Sequence, residues 1–285
     1  TDSDGSLNRV NSAMSEPLTT ANTTGFTARA NYGPADTSHS ALVITAANAY
    51  STMNVLNITF DDAVWGTGNV SLAYDGTKGS VNDTKQNASL SNSTITINDT
   101  AIPFVERAIT KDSDVNGYVD ALIVNLSERI NDSSMVTNCF DINGSNGSVT
   151  VTTGVTANDT ELYLNWSSEQ LQYTNITPGY GYISNSTCLF GDLSNNLLAS
   201  STAFTSIDGA VPAFWVCRSY DTNANGRLNI INCTMSESLT AATVTGFTTR
   251  VNYGPADTSH SALTISSAKT YANGIMNITL DDEIW

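Results

Sequence analysis

The amino-acid sequence predicts an all-β chain of tandem β-sandwich domains laid end to end. Three observations predict it: a repeat of domain size, short β-rich runs separated by Gly, Asn and Asp, and the lack of any long helical stripe. The repeat is the strongest. "NYGPADTSHSAL" at Asn31 to Leu42 recurs letter for letter at Asn252 to Leu263. The match runs outward in both directions, with "MSEPL" at Met14 becoming "MSESL" at Met235 and "LNITFDDAVW" ending at Trp65 echoed by "MNITLDDEIW" ending at Trp285. A weaker repeat is nested inside it. "DTAIPFVERAITKDSDVNGYVDALIVNLSE" from Asp99 aligns without a gap on "DGAVPAFWVCRSYDTNANGRLNIINCTMSE" from Asp208, which sets a unit of about 110 residues.

The chain therefore divides into residues 1–102 (domain A), 103–211 (domain B) and 212–285 (a second, shorter copy of A). The first copy lacks the Pro-led strand that precedes the second, and the second stops where the first continues. The expectation is a window on a longer repeat array, joined in cis or by strand donation between subunits.

Within each unit, Thr94 to Ile97, Ala121 to Leu126, Ser148 to Thr152 and Glu161 to Trp166 alternate apolar and polar residues or are rich in β-formers, and each is bounded by turn residues. Short strands at this spacing, in units of this size, argue for sandwiches of immunoglobulin-like kind; a propeller or β-helix would show a shorter period. Trp65, Trp166, Trp215 and Trp285 are expected as core residues of such sandwiches.

One phrase recurs across units: Asp and Pro, then Asp-x-Asp/Asn-x-Asn-Gly-x-hydrophobic-Asp/Asn, then Ser-Glu. With "GDLSNNLLASSTAFTSIDGAVP" from Gly191, this phrase resembles the tandem immunoglobulin-like repeats of large bacterial and archaeal surface, S-layer and adhesin proteins. Ser194 stands where that family usually has Gly. The resemblance implies fold more strongly than activity, because the family hosts many roles.

The Asp-rich loop carries definite chemistry. Asp112, Asp114 and Asn116 supply side-chain oxygens at positions one, three and five, Gly117 allows the sharp turn, Tyr118 offers its carbonyl and Asp120 falls at position nine. That spacing suits calcium and is similar to the first nine positions of an EF-hand or dockerin loop. Ile123 stands where an EF-hand has its bidentate Glu, so a further ligand must come from elsewhere, and Glu128, with counterparts Glu16 and Glu237, is the candidate. The alternative is an Asp/Asn/Gly hairpin turn without metal. Two other copies are weaker: Asp221, Asn223, Asn225 and Asn229 offer one carboxylate, and Asp2, Asp4 and Asn8 lack position one.

Cys217 and Cys233 lie symmetrically about Asn225 and are expected to face each other across the strands flanking that loop, leaving Cys139 to pair with Cys188. Other pairings and buried free thiols stay open at this point; no Cys-x-x-Cys supports zinc. Asn-x-Ser/Thr acceptors for N-linked glycans occur at Asn22, Asn57, Asn69, Asn82, Asn87, Asn92, Asn98, Asn125, Asn131, Asn143, Asn146, Asn158, Asn165, Asn175, Asn185, Asn232 and Asn277, about twice the number that composition alone would produce.

A net charge of −16 with only 11 Lys and Arg gives no electrostatic footprint for nucleic acid, and no apolar run approaches the ~20 residues of a membrane span. The polar surface comes from Ser, Thr and Asn, an extracellular composition. Catalysis is not expected. His39 and His260 sit beside Asp and Ser on one short segment, whereas triad members must converge from separate parts of a fold, and "DD" at Asp61 and Asp281 reads as a solvated turn. The expected role is a structural subunit of a glycosylated, calcium-stiffened extracellular filament or surface layer that self-associates or continues into a linear array. Alternatives are an adhesin stalk binding carbohydrate or a surface receptor, and an accessory segment of a secreted polysaccharide-degrading enzyme.

Overall fold

The computed structural model describes residues 6–30, 40–61, 70–135, 139–142, 149–154, 156–166, 171–182, 187–251 and 261–281. Among them every regular element is a β-strand except one 3-10 turn at Asp132–Ser134. The histidine-containing repeat, Trp65 and Trp285 fall outside the described residues, as do Asp2, Asp4, Asn69, Asn143, Asn146 and Asn185.

The first unit contains β1 (Arg9–Ala13), β2 (Leu18–Ala21), β3 (Phe26–Ala30), β4 (Ser40–Leu42), β5 (Ile44–Tyr50), β6 (Val55–Phe60), β7 (Val70–Tyr74), β8 (Val81–Asp83) and β9 (Asn92–Ile95). They form antiparallel sheets in the orders β1-β6-β5, β4-β3-β7-β9 and β2-β8. Side chains from all of these sheets meet in one core, with Val10, Leu56 and Ile58 packed among Phe26, Leu72, Leu18 and Val81.

The second unit contains β10 (Val105–Lys111), β11 (Tyr118–Val119), β12 (Ala121–Leu126), β13 (Phe140–Ile142), β14 (Val149–Thr153), β15 (Glu161–Trp166), β16 (Leu171–Gln172), β17 (Gly179–Tyr182) and β18 (Ser201–Thr205). Its sheets run β10-β12-β15-β14, β13-β17-β18 and β11-β16. β15 shows how the sequence sets the layer: in Glu-Leu-Tyr-Leu-Asn-Trp every second residue is apolar, and Leu162, Leu164 and Trp166 are the ones buried. They join Val124, Leu126, Tyr182 and Phe190 in a second, separate core. The third unit, with β19 (Phe214–Tyr220), β20 (Ile230–Met235), β21 (Thr249–Val251), β22 (Ser261–Leu263), β23 (Ile265–Tyr271) and β24 (Ile275–Leu280), forms sheets β19-β20-β24-β23 and β21-β22 over a smaller core around Cys233, Met276 and Ile278.

The sequence repeat is also a repeat of register. Asn11 pairs with Asn57 across β1 and β6, and Asn232 with Asn277 across β20 and β24; each pair is tied by a 2.7 Å amide–amide hydrogen bond. Backbone dihedrals repeat as well. Val115 and Gly117 have φ of 61° and 94°, and their counterparts Ala224 and Gly226 have 56° and 84°.

Candidate metal centres

The Asp-rich loop is the hairpin between β10 and β12, closed at its base by the pair Lys111–Ala121 and by the Asp120 amide donating to the Lys111 carbonyl at 3.0 Å. A chain reversal this tight leaves backbone amides without strand partners, and the acidic side chains take them up. Buried Asp112 accepts from the amides of Asn116 (3.2 Å) and Gly117 (2.8 Å). Asp114 accepts from the Asn116 side-chain amide at 3.0 Å, and Asn116 in turn accepts from the Tyr118 amide at 2.9 Å. Asp120 accepts from the Ser113 amide and hydroxyl. The result brings one carboxylate oxygen each of Asp112, Asp114 and Asp120 within 4.8 Å of one another, a hard-oxygen arrangement suited to a divalent cation of calcium type. These carboxylates keep lone pairs beyond the hydrogen bonds they accept.

The third-unit loop copies the frame with less charge. Asp221 accepts from the amides of Asn225 (3.2 Å) and Gly226 (2.7 Å), Asn225 accepts from the Arg227 amide, and Asn229 accepts from the Thr222 amide. Asn223 accepts from the Asn225 amide at 3.4 Å. In the first-unit copy only Asn8 is described; it is half-buried, and its carbonyl accepts from the Phe60 amide.

Glu128 does not complete the Asp112 loop. It follows β12 while Asp120 precedes it, and six extended residues separate their ends by ~20 Å. Glu128 instead joins Asp99 and Asp192, their carboxylate oxygens within 4.8 Å of one another, with Glu128 4% and Asp192 1% exposed. Burial pushes the Asp99 carboxyl above its usual range, and the Asp192 charge adds to the shift. Glu237 is also pushed up, by burial first and then by the charge of Asp208, the repeat counterpart of Asp99. Such a set can hold a cation or share a proton. Asp192 is fixed by the amides of Ser194 (2.8 Å) and Asn196 (2.7 Å) and by the Asn196 side chain (2.8 Å). Asp83 makes the same turn with Lys85 and Asn87, and there the Asn87 side-chain amide leads in holding the carboxyl below its usual range.

Sequence reasoning missed Asp99 and Asp192. The spacing of Asp99 and Asp208 ahead of a Pro was visible in the repeat, but Asp192 comes from a turn far along the chain. Trp215 was expected in a core. Its indole lies instead at the edge of the third unit, against Tyr118 and Tyr173 of the second at ring distances of 5.9 and 5.5 Å, and its N–H donates to the Asn116 carbonyl at 3.1 Å. Trp166 is buried in the second core. Asp61 ends β6 with one carboxylate oxygen buried and unpaired, which departs from the solvated turn expected there.

The structure joins Cys139 to Cys188 and Cys217 to Cys233, with Cα separations of 5.6 and 4.0 Å. Cys217 and Cys233 are direct cross-strand partners on β19 and β20. Two disulfides fit an oxidising compartment, and among the described residues no helix is long and apolar enough to cross a membrane.

The glycan acceptors sort by exposure. Asn22, Asn87, Asn92, Asn98 and Asn175 are exposed, and Asn82, Asn125, Asn131, Asn158, Asn165, Asn232 and Asn277 are half-buried. Asn57 stands apart from these: it is 6% exposed and its amide nitrogen, the atom a glycan would occupy, donates to Asn11 inside the sheet. The chain matches no family model and no curated protein.

Proposed function

We propose that the chain is a segment of an extracellular, glycosylated filament or surface layer, built from immunoglobulin-like repeats whose hairpin loops take up calcium. One observation carries the reading: units with separate cores repeat one another, the first and third in strand register and the second and third in turn dihedrals and carboxylate-held loop, as expected of a polymer that gains length by adding units. The acidic composition, the disulfides and the exposed acceptor asparagines support the extracellular part. The clustered oxygens of Asp112, Asp114 and Asp120 support the calcium part.

Electron microscopy of native material tests the assembly. A regular filament or lattice with an axial advance of roughly 80 Å per pair of units is expected, from sandwiches on the order of 40 Å long. Isolated stalks or compact single particles overturn it. Calorimetric titration of the intact chain tests the metal: calcium heat that disappears in the Asp112→Ala/Asp114→Ala double variant is expected, with any residual, weaker binding assigned to the Asp221 loop. Binding unchanged by the double variant removes the site.

A further inference from the structure

The turn at Asn116–Gly117 serves a second purpose, which its own unit does not explain. Asp112 holds the amides of these two residues, and on the outer side of the same turn lies Trp215 of the third unit. Gly117 is buried, and a methyl group on it would overlap the indole Nε1 and press on the Ser236 side chain. Its φ of 94° disfavours any other residue as well. Around the indole the second unit contributes Tyr118 and Tyr173, and Tyr173 is held at a φ of 78°, a conformation a tyrosine adopts only when its surroundings fix it. Beside it the fully buried hydroxyls of Thr174 and Ser236 hydrogen-bond across the units at 2.8 Å. Ser236 is itself tied to Ala213, two residues before Trp215, by bonds of 2.8 and 2.9 Å in both directions. In the third unit the equivalent turn, Asn225–Gly226, has the same backbone and is exposed. The turn is thus preformed by its own Asp, and burial of its outer side comes with the docked tryptophan.

We propose that Trp215 on the Asn116–Gly117 turn is a lock that fixes the third unit on the second, set through Asp112, so that cation binding by the loop stiffens the junction. The lock follows from the contacts alone; its control by a cation rests on the calcium reading above. Asp112 is the link. The carboxylate that would ligate the ion is the one that positions the carbonyl and the glycine on which the indole sits.

Hydrogen exchange on the intact chain, read at the segments containing Thr174, Ala213 to Val216 and Ser236, with and without added calcium, tests both parts. Exchange in these segments is expected to quicken about tenfold or more in Trp215→Ala and in Asp112→Asn, and by less in Trp215→Phe, which keeps a ring and loses the N–H donor. Gly117→Ala should open the junction as well, because its added methyl group meets the indole. In the parent chain calcium should slow exchange at all three segments. Unchanged exchange in Trp215→Ala and Gly117→Ala overturns the lock. Calcium heat without any slowing at the junction overturns its control by the cation. No calcium heat, with the variants still opening the junction, removes the calcium reading and leaves the lock standing.

Discussion

Val115 sits at φ 61°, in the left-handed region where a β-branched side chain crowds its own backbone, and the Asp112 carboxylate keeps it there by holding the next two amides. Val115→Asn, which tolerates that region, is therefore expected to raise stability by about 1 kcal/mol in chemical denaturation. The side chain is exposed, so no packing is lost. Thr110 makes the opposite case. Its hydroxyl, 1% exposed, accepts from the amides of Gly209 and Ala210 and thereby fastens the chain leaving the second unit to β10. Thr110→Val keeps the volume and strands both donors, a loss of about 1–3 kcal/mol readable in the same denaturation experiment. Asn57 is where a motif and its surroundings disagree: glycopeptide mapping should find sugar on exposed acceptors such as Asn92, Asn98 and Asn175, and none on Asn57.

At the scale of elements, β19–β20 and β10–β12 are one hairpin written twice with different fastenings. Where the third unit has the Cys217–Cys233 bridge, the second has the directly paired and fully buried Ala108 and Val124. A cross-link closing 16 residues stabilises by about 3 kcal/mol through the entropy it removes from the unfolded chain, so a Cys217→Ala/Cys233→Val variant should lose that amount. The small third core makes the hairpin depend on it more heavily than the second does. Such strands were legible in the sequence because local information suffices for them: a β-rich apolar run marks Ala121 to Leu126, period-two alternation marks Glu161 to Trp166, and both structural strands have those bounds. The symmetric placement of Cys217 and Cys233 about Asn225 sufficed for their pairing. What depends on distant chain was not legible. Glu128 resembled a ligand for the nearby loop by sequence distance, yet β12 carries it to the far end of the sheet. Trp215 resembled a core residue by type, because the surface it covers belongs to another unit.

At the scale of the molecule, the junctions respond to pH with a definite sign. Asp99 and Glu237 both have folded values raised above their ordinary 3.8 and 4.5, so the folded chain binds protons more tightly there than the unfolded chain. Their contribution to stability is complete below the ordinary values and is lost as pH rises through the folded ones. Exchange protection at the segments around Asp99 and Glu237, taken relative to the intrinsic base-catalysed rate, should fall as the pH climbs out of that window, and Asp99→Asn should abolish that fall at Asp99. Asp83 runs the other way: its carboxyl is held low, so its turn is secure above 3.8 and fails as the solution is acidified through the depressed value.

On the filament reading proposed above, tension would act on the chain, and its cystines would then decide which segments can be drawn out. Tension enters and leaves each unit through the backbone, and a covalent bridge removes everything between its ends from the path of the force. Cys139 and Cys188 are 49 positions apart and Cys217 and Cys233 are 16, which at ~3.5 Å of extended chain per position are ~170 Å and ~55 Å that pulling cannot draw out. The Asp221 loop lies inside the second bridge and is shielded from stretching, while the Asp112 loop lies outside both and carries the strain in full. Of the two carboxylate loops, the richer one is therefore the one whose contour a single-molecule pulling trace could release with both bridges intact.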